Sequence, residues 1–269
     1  RSVPRRAAGS GHPGWAAVGG ITAASLGRAG FIGTKRVYEG GDGLFRTHAG
    51  SHFDDVNLDA ITADLGERWR AEEVAIKPYP VCHILHATID SAIALRERHK
   101  LKASDIAKVR VLLHPDTFHY VCENAEMRCR PATDYVAKFS AHYTTAVALM
   151  RGKCGFAELE QEAITDPEIL ALAQKVEHAP DPQSAFPEYF SGGVEITLEN
   201  GRTIAHHDRV NRGAGERALN REEITRKFLE NAEFGMSGSR AEDMLQVLLA
   251  LEQFSGREIA RAVSLGDRL

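Results

Sequence analysis

The chain has no CxxC pair. Its four cysteines, Cys82, Cys122, Cys129 and Cys154, lie far apart. Small disulfide scaffolds are much denser in cysteine, so four reduced thiols in a cytosolic protein are expected. No apolar run approaches the ~20 residues needed to span a bilayer. The opening RSVPRR lacks the apolar core of a secretory signal. An excess of positive charge is missing too. Lys and Arg number 33 against 37 Asp and Glu, a formal net charge of -4. A phosphate-binding surface needs a basic domain or stripe, whereas Arg5-Arg6 and Lys35-Arg36 are isolated. These absences predict a cytoplasmic protein with neither a nucleic-acid nor a membrane partner. GxGxxG, GxxxxGK[ST] and GxSxG are also absent, which removes the markers of nucleotide-binding and α/β-hydrolase folds. Internal repeats and low-complexity tracts are lacking.

What remains is a globular composition, 43% hydrophobic and 26% charged over 269 residues. That length suits one large or two medium domains of roughly 100–200 residues each. Twelve histidines are the one unusual count.

Residues 12–30 are rich in Ala and Gly and predict a helix stopped by Gly30 at its C′ position. Gly40-Gly41-Asp42-Gly43 marks a turn-rich stretch. Residues 72–81 read as extended, because Pro78 and Pro80 push Lys77 and Tyr79 out of helical backbone space. A helix is predicted from Cys82 to Lys100, a strand over 108–115, and a single helix over 133–151 capped by Thr133. Asp166-Pro167-Glu168 starts another helix, with Ile169, Leu172 and Val176 on one face. Asn200-Gly201 joins two alternating segments as a β-hairpin. Asn220 and Ser239 are read as caps of two closing helices. The layout is helical, then mixed, then helical, with the mixed part running from about residue 72 to about residue 212.

Four constellations could carry chemistry. His48 and His52 have the i, i+4 spacing of zinc ligands on a helix. Gly50 lies between them, and no third ligand is evident, so no metal is expected. His206 and His207 end a strand, where neighbouring side chains point to opposite faces. Cys82, His83 and His86 stand at a helix start, open to reading as a thiol nucleophile, as a histidine placed for proton transfer, or as core residues. Lys77, beside two prolines, can neutralise a substrate carboxylate or act as an acid or base.

Several segments, in order, resemble the MmgE/PrpD family: HPGWAAVGGITAASLGRAGFIG, AIKPYPVCHILHATIDSAIALRE, DYVAKFSAHYTTAVALMRG, TDPEILALAQKV, VEITLENGRTI and GERALNREEITRKFLENA. The resemblance covers nearly the whole chain from His12 onward. It implies an α+β protein in which residues 1–71 and 213–269 belong to an all-helical domain and 72–212 form an inserted α+β lid. It implies a lyase of the dehydratase type, with decarboxylation or epimerisation as variants. The reaction takes place on a small di- or tricarboxylic acid, by proton abstraction beside a carboxylate, without metal or other cofactor. It implies Lys77, His12, His86 and Tyr120 as catalytic residues, Lys77, Lys138 and Ser140 as substrate-binding residues, and a homodimer. Two departures accompany it. Gly9 stands where the family has a lysine, and the family's N-terminal helical segment is not matched. The alternative is therefore a non-catalytic remnant, or one part of a split enzyme that binds a partner chain through an exposed helical face.

Overall fold

A computed structural model describes residues 12–264. The chain divides into two units, residues 1–72 and 73–269. Gly9 and the side chain of His12 lie outside the described residues.

In the first unit α1 (His12–Arg28) runs for 17 residues. The hydroxyls of Thr22 and Ser25 donate to the carbonyls of Val18 and Ile21, which satisfies them within the helix. Gly30, at φ +89°, ends it as expected. Phe31 N–H reaches Leu26 C=O and Gly30 N–H reaches Gly27 C=O, the paired bonds of a Schellman stop. A short α2 (Leu44–Ala49) and single helical turns follow. Trp15, Ile21, Phe31 and Ile32 are exposed.

The second unit is an α+β body around one mixed sheet. Its elements are α3 (His86–His99), β1 (Ile106–Leu113), α4 (Phe118–Val121), α5 (Ala125–Cys129), α6 (Asp134–Ala137), α7 (Ala141–Arg151), α8 (Gln161–Ile164), α9 (Pro167–Ala173), β2 (Val176–Pro180), β3 (Gly192–Leu198), β4 (Thr203–Asp208), α10 (Arg221–Ala232), α11 (Gly238–Leu249) and α12 (Gly256–Val263). The strand order is β2-β1-β3-β4. β2 runs parallel to β1, and the other pairs are antiparallel.

Alternation builds the sheet. Val109, Val111 and Leu113 of β1 are buried, with Val194 and Ile196 of β3 beside them. Lys108 and Arg110 emerge on the other face and pair with Glu177 at 2.7 Å and Glu195 at 3.2 Å. Helix α3 packs on β3, β4 and α7. Leu85, Ile89 and Leu95 meet Tyr143 and Val147 in the core. Asn220 caps α10 through a reciprocal bond pair with Glu223. The Asn200-Gly201 hairpin forms, with Gly201 alone at positive φ and Leu198 N–H bonded to Arg202 C=O. That is a three-residue loop, a turn that needs only one left-handed residue.

Four local expectations are corrected. The helix predicted over 133–151 is two helices, because Ser140 takes extended backbone angles and its hydroxyl accepts Tyr143 N–H at 2.9 Å, starting α7 afresh. Helix α9 ends at Ala173, and Val176 opens a strand. The N-cap of α11 is Ser237; Ser239 lies inside the helix. Residues 83–85 form a single tight turn before α3, which ends on Lys100 at φ 51°. Among the described residues no helix is long and apolar enough to cross a membrane.

Candidate active site

The loop 74–85 is fastened at three points. Ile76 N–H donates to Gly213 C=O at 3.0 Å, and Cys82 N–H donates to Lys138 C=O at 2.8 Å. Between them Tyr79 Oη donates to Asp90 Oδ1 at 2.5 Å. Pro78 and Pro80 remove most of the remaining backbone freedom. Lys77 is exposed on this rigid loop, and its Nζ donates to Val81 C=O at 3.3 Å.

Two imidazoles stand beside it. Desolvation, and then the Lys77 charge, push the half-buried His83 below its ordinary pKa of 6.5. His86 has no exposed surface, and neither ring nitrogen has a hydrogen-bond partner. Burial first, then His83 and Lys77, lower it to about 3. The two rings lie 4.8 Å apart, and Tyr79 meets His86 edge-on at 5.4 Å. Both imidazoles are therefore neutral at pH 7, the half-buried His83 beside the Lys77 ammonium and His86 enclosed behind it.

A charged network backs this cluster. Asp90 lies 3.5 Å from Arg217 and 3.9 Å from Arg212. Burial raises its pKa, while the Tyr79 hydrogen bond and the two guanidiniums pull the other way. Arg217 also reaches Asp208 at 2.7 Å, and Arg212 reaches Glu223 at 3.3 Å. Asn211 bonds His83 at 2.7 Å.

The structure thus brings Lys77 and His86 together. Tyr120 is 55% exposed on α4, its ring against His119 at 3.7 Å. Arg128 ties that segment inward: its guanidinium donates to Tyr120 C=O at 2.8 Å, and its own C=O accepts Ser140 Oγ at 2.6 Å. Its charge also acts on Cys82. The hydroxyl of Ser140 is fully buried and occupied by this bond and by the cap. Lys138 pairs with Asp134 at 2.7 Å, one helical turn away. The geometry around these two side chains is that of capping and helix support, while the Lys138 carbonyl holds the Lys77 loop.

Burial raises the Cys82 thiol and pushes Cys122 and Cys154 up to about 12, which disfavours the thiolate a nucleophile needs. His48 bonds Leu44 C=O at 2.9 Å, and His52 lies 3.6 Å from Asp55. His207 bonds Asp181 at 2.9 Å, while His206 faces Asp208 at 3.8 Å. No group of three candidate metal ligands occurs among the described residues. Sequence reading missed Asp90, Arg128, Asn211, Arg212 and Arg217. Asp90 lies one turn beyond His86 on α3, a spacing that could have drawn notice. The other four lie in distant segments, Asn211 being 128 positions from His83, and no spacing rule links them.

His86 and His142 are depressed to about 3 and about 4, chiefly by burial, from 6.5. Between those values and 6.5 the unfolded chain binds protons that the folded chain excludes. Stability is therefore expected to fall as pH drops from about 6.5 toward about 4. His86→Leu removes two unpaired buried nitrogens at similar volume. It should stay within about 1 kcal/mol of wild type at pH 7 and show a shallower acid decline in thermal melts. A parallel decline in the two proteins would contradict this.

Comparison with known proteins follows the same lines. A family model described as the MmgE/PrpD C-terminal domain matches residues 79–253. A cis-aconitate decarboxylase from Mus musculus is 27% identical over 250 residues, covering 90% of this chain and 49% of that protein. A cis-aconitate decarboxylase from Homo sapiens is 25% identical over 249 residues, with the same coverage of 90% and 49%. The chain spans about half the length of the curated relatives it matches.

Proposed function

The chain belongs to the MmgE/PrpD family, and from that premise we propose that it works as a lyase on a small di- or tricarboxylic acid. The observation that carries this reading is the Lys77 ammonium on a rigid loop beside two neutral imidazoles. Such a cation holds a substrate carboxylate and offsets the negative charge that builds on it when the adjacent carbon loses a proton. A neutral imidazole can take that proton. For dehydration, the carbon–hydrogen electron pair becomes the new double bond, and the β-hydroxyl leaves as water once an acid protonates it. For decarboxylation, the relatives' named reaction, the electron pair of the C–C bond stays on the substrate as carbon dioxide departs, and a proton replaces it. Lys77 serves either path.

The assignment of residues 1–71 and 213–269 to a helical domain, with 72–212 as its lid, belongs to the same proposal, as does a homodimer. The bond between Ile76 and Gly213 supports the division, since the two ends of the proposed lid meet there. His12 and Tyr120 are proposed to complete the catalytic set, and Lys138 and Ser140 to keep substrate-facing segments in place.

A second reading has its own observation. Helix α1 leaves Trp15, Val18, Ile21 and Leu26 exposed, and exposed apolar patches of this kind mark association surfaces. In this reading the chain acts only when another polypeptide covers that face.

A panel of citrate-, aconitate-, methylcitrate- and succinate-type acids, assayed at neutral pH, tests both. Turnover of one acid by the purified chain is the expected result. Complete inactivity on every acid by a folded chain would overturn the first reading, and turnover restored by a second polypeptide would establish the other.

A further inference from the structure

We propose that Asn211 is a positioning residue that fixes His83 as its neutral Nδ1–H tautomer, so that the loop presents an N–H donor beside the Lys77 ammonium. The inference deepens the reading of this loop as an active site. The test below does not depend on turnover, so the two can fail separately.

The Asn211 amide is oriented by its two partners. Its side chain sits in a residue only 1% exposed, just beyond β4. Phe190 N–H lies 3.1 Å from Oδ1. A backbone N–H can only donate, so the carbonyl end of the amide must face Phe190. The NH₂ end then faces His83 Nε2, at 2.7 Å. An amide NH₂ can only donate in turn, so Nε2 must offer its lone pair. A neutral imidazole accepting at one nitrogen carries its proton on the other, which places the hydrogen on Nδ1. The amide thus transmits the polarity of one backbone N–H to the far edge of the imidazole.

The same geometry disfavours the charged ring. An imidazolium has N–H at both positions and would set one against the Asn211 NH₂. Lys77 adds a positive charge nearby, and His86 is the titratable group packed on the ring at 4.8 Å. Phe190 covers His83 from another side at 5.2 Å. The ring is thereby fixed in plane, tautomer and charge, and among the described residues the bond to Asn211 is its one side-chain hydrogen bond.

This separates the roles of the two imidazoles. His83 cannot serve as a base through Nε2, because that lone pair is taken. Its Nδ1–H suits a carboxylate or carbonyl oxygen of a ligand already held by Lys77. Proton abstraction is left to another group; the neighbouring His86 is wholly enclosed.

Long-range ¹H–¹⁵N correlation spectra of the full chain with ¹⁵N-labelled histidine read the tautomer directly. His83 is identified by the signal missing in His83→Gln. At pH 7 the expected pattern is a protonated, pyrrole-type Nδ1 and an unprotonated, pyridine-type Nε2. Asn211→Asp keeps an acceptor for Phe190 N–H and turns an acceptor toward Nε2. The pattern should invert, with the proton on Nε2, and the His83 titration midpoint should move up. A wild-type Nε2–H tautomer would overturn the proposal, as would an unchanged pattern in a folded Asn211→Asp protein. The wild-type spectrum decides the matter even if that variant does not fold.

Discussion

Lys77→Ala is expected to lower kcat/KM on the acid that the chain turns over by at least about 10³-fold, with no change in melting temperature beyond a degree or two. Removing one preorganised charge-stabilising group costs about 10²–10³-fold in characterised enzymes. In the proposed function the same group also holds the substrate carboxylate, so binding would be lost with it. The fold should not notice. Lys77 is exposed, and its one side-chain hydrogen bond is a 3.3 Å contact to Val81 C=O. The bonds that fasten its loop, from Ile76, Cys82 and Tyr79, do not pass through its side chain. Exposed positions of this kind change stability by about 0.5 kcal/mol or less. Because Lys77 helps to depress both imidazoles, His83 and His86 should titrate at higher pH in the variant. Steady-state kinetics beside a thermal melt provide the check. Full activity in Lys77→Ala would remove the lysine from the mechanism.

Gly213→Ala is expected to destabilise the protein by about 3 kcal/mol or more, lowering the melting temperature by about 6–12 °C. Two effects add. Gly213 sits at φ +91°, where a side chain is strained. A Cβ there would also land on the Ile76 carbonyl oxygen, backbone that cannot swing aside as a side-chain tip can. Relief requires moving the loop at Ile76 or Gly213 itself, and the Ile76 N–H to Gly213 C=O bond is lost in either case. Lys77 is the next residue, so any activity should fall with stability. Gly256→Ala is the control. It stands at the start of α12 with nothing within 4 Å of a new Cβ, and should lie within about 1 kcal/mol of wild type. Equal melting temperatures for Gly213→Ala and wild type would show that the contact can relax at no cost.

Local chemistry determined much of this chain from sequence alone. Thr133, Asp166 and Asn220 cap helices because their side chains reach backbone N–H groups two or three residues on. Gly30 stops α1, Gly201 turns the hairpin, and alternation makes β1 a strand, each through interactions within a few positions. Two prolines made the Lys77 loop legible as rigid. The family resemblance, carried by segments in order, pointed to the same lysine.

Tertiary structure decided what depends on distant partners. The stretch 138–140 has helical periodicity, yet it breaks because Ser140 has a cap to make and Cys82 claims the Lys138 carbonyl. Val176 could extend a helix, but an edge of β1 is there to pair with it in parallel. His83, Asn211 and Phe190 are unremarkable one at a time. Their meaning comes from donor and acceptor polarity passed across a contact between residues 128 positions apart. Hydrogen-bond polarity is a property of pairs. A sequence states which groups can donate or accept, and only the fold determines which of them face each other.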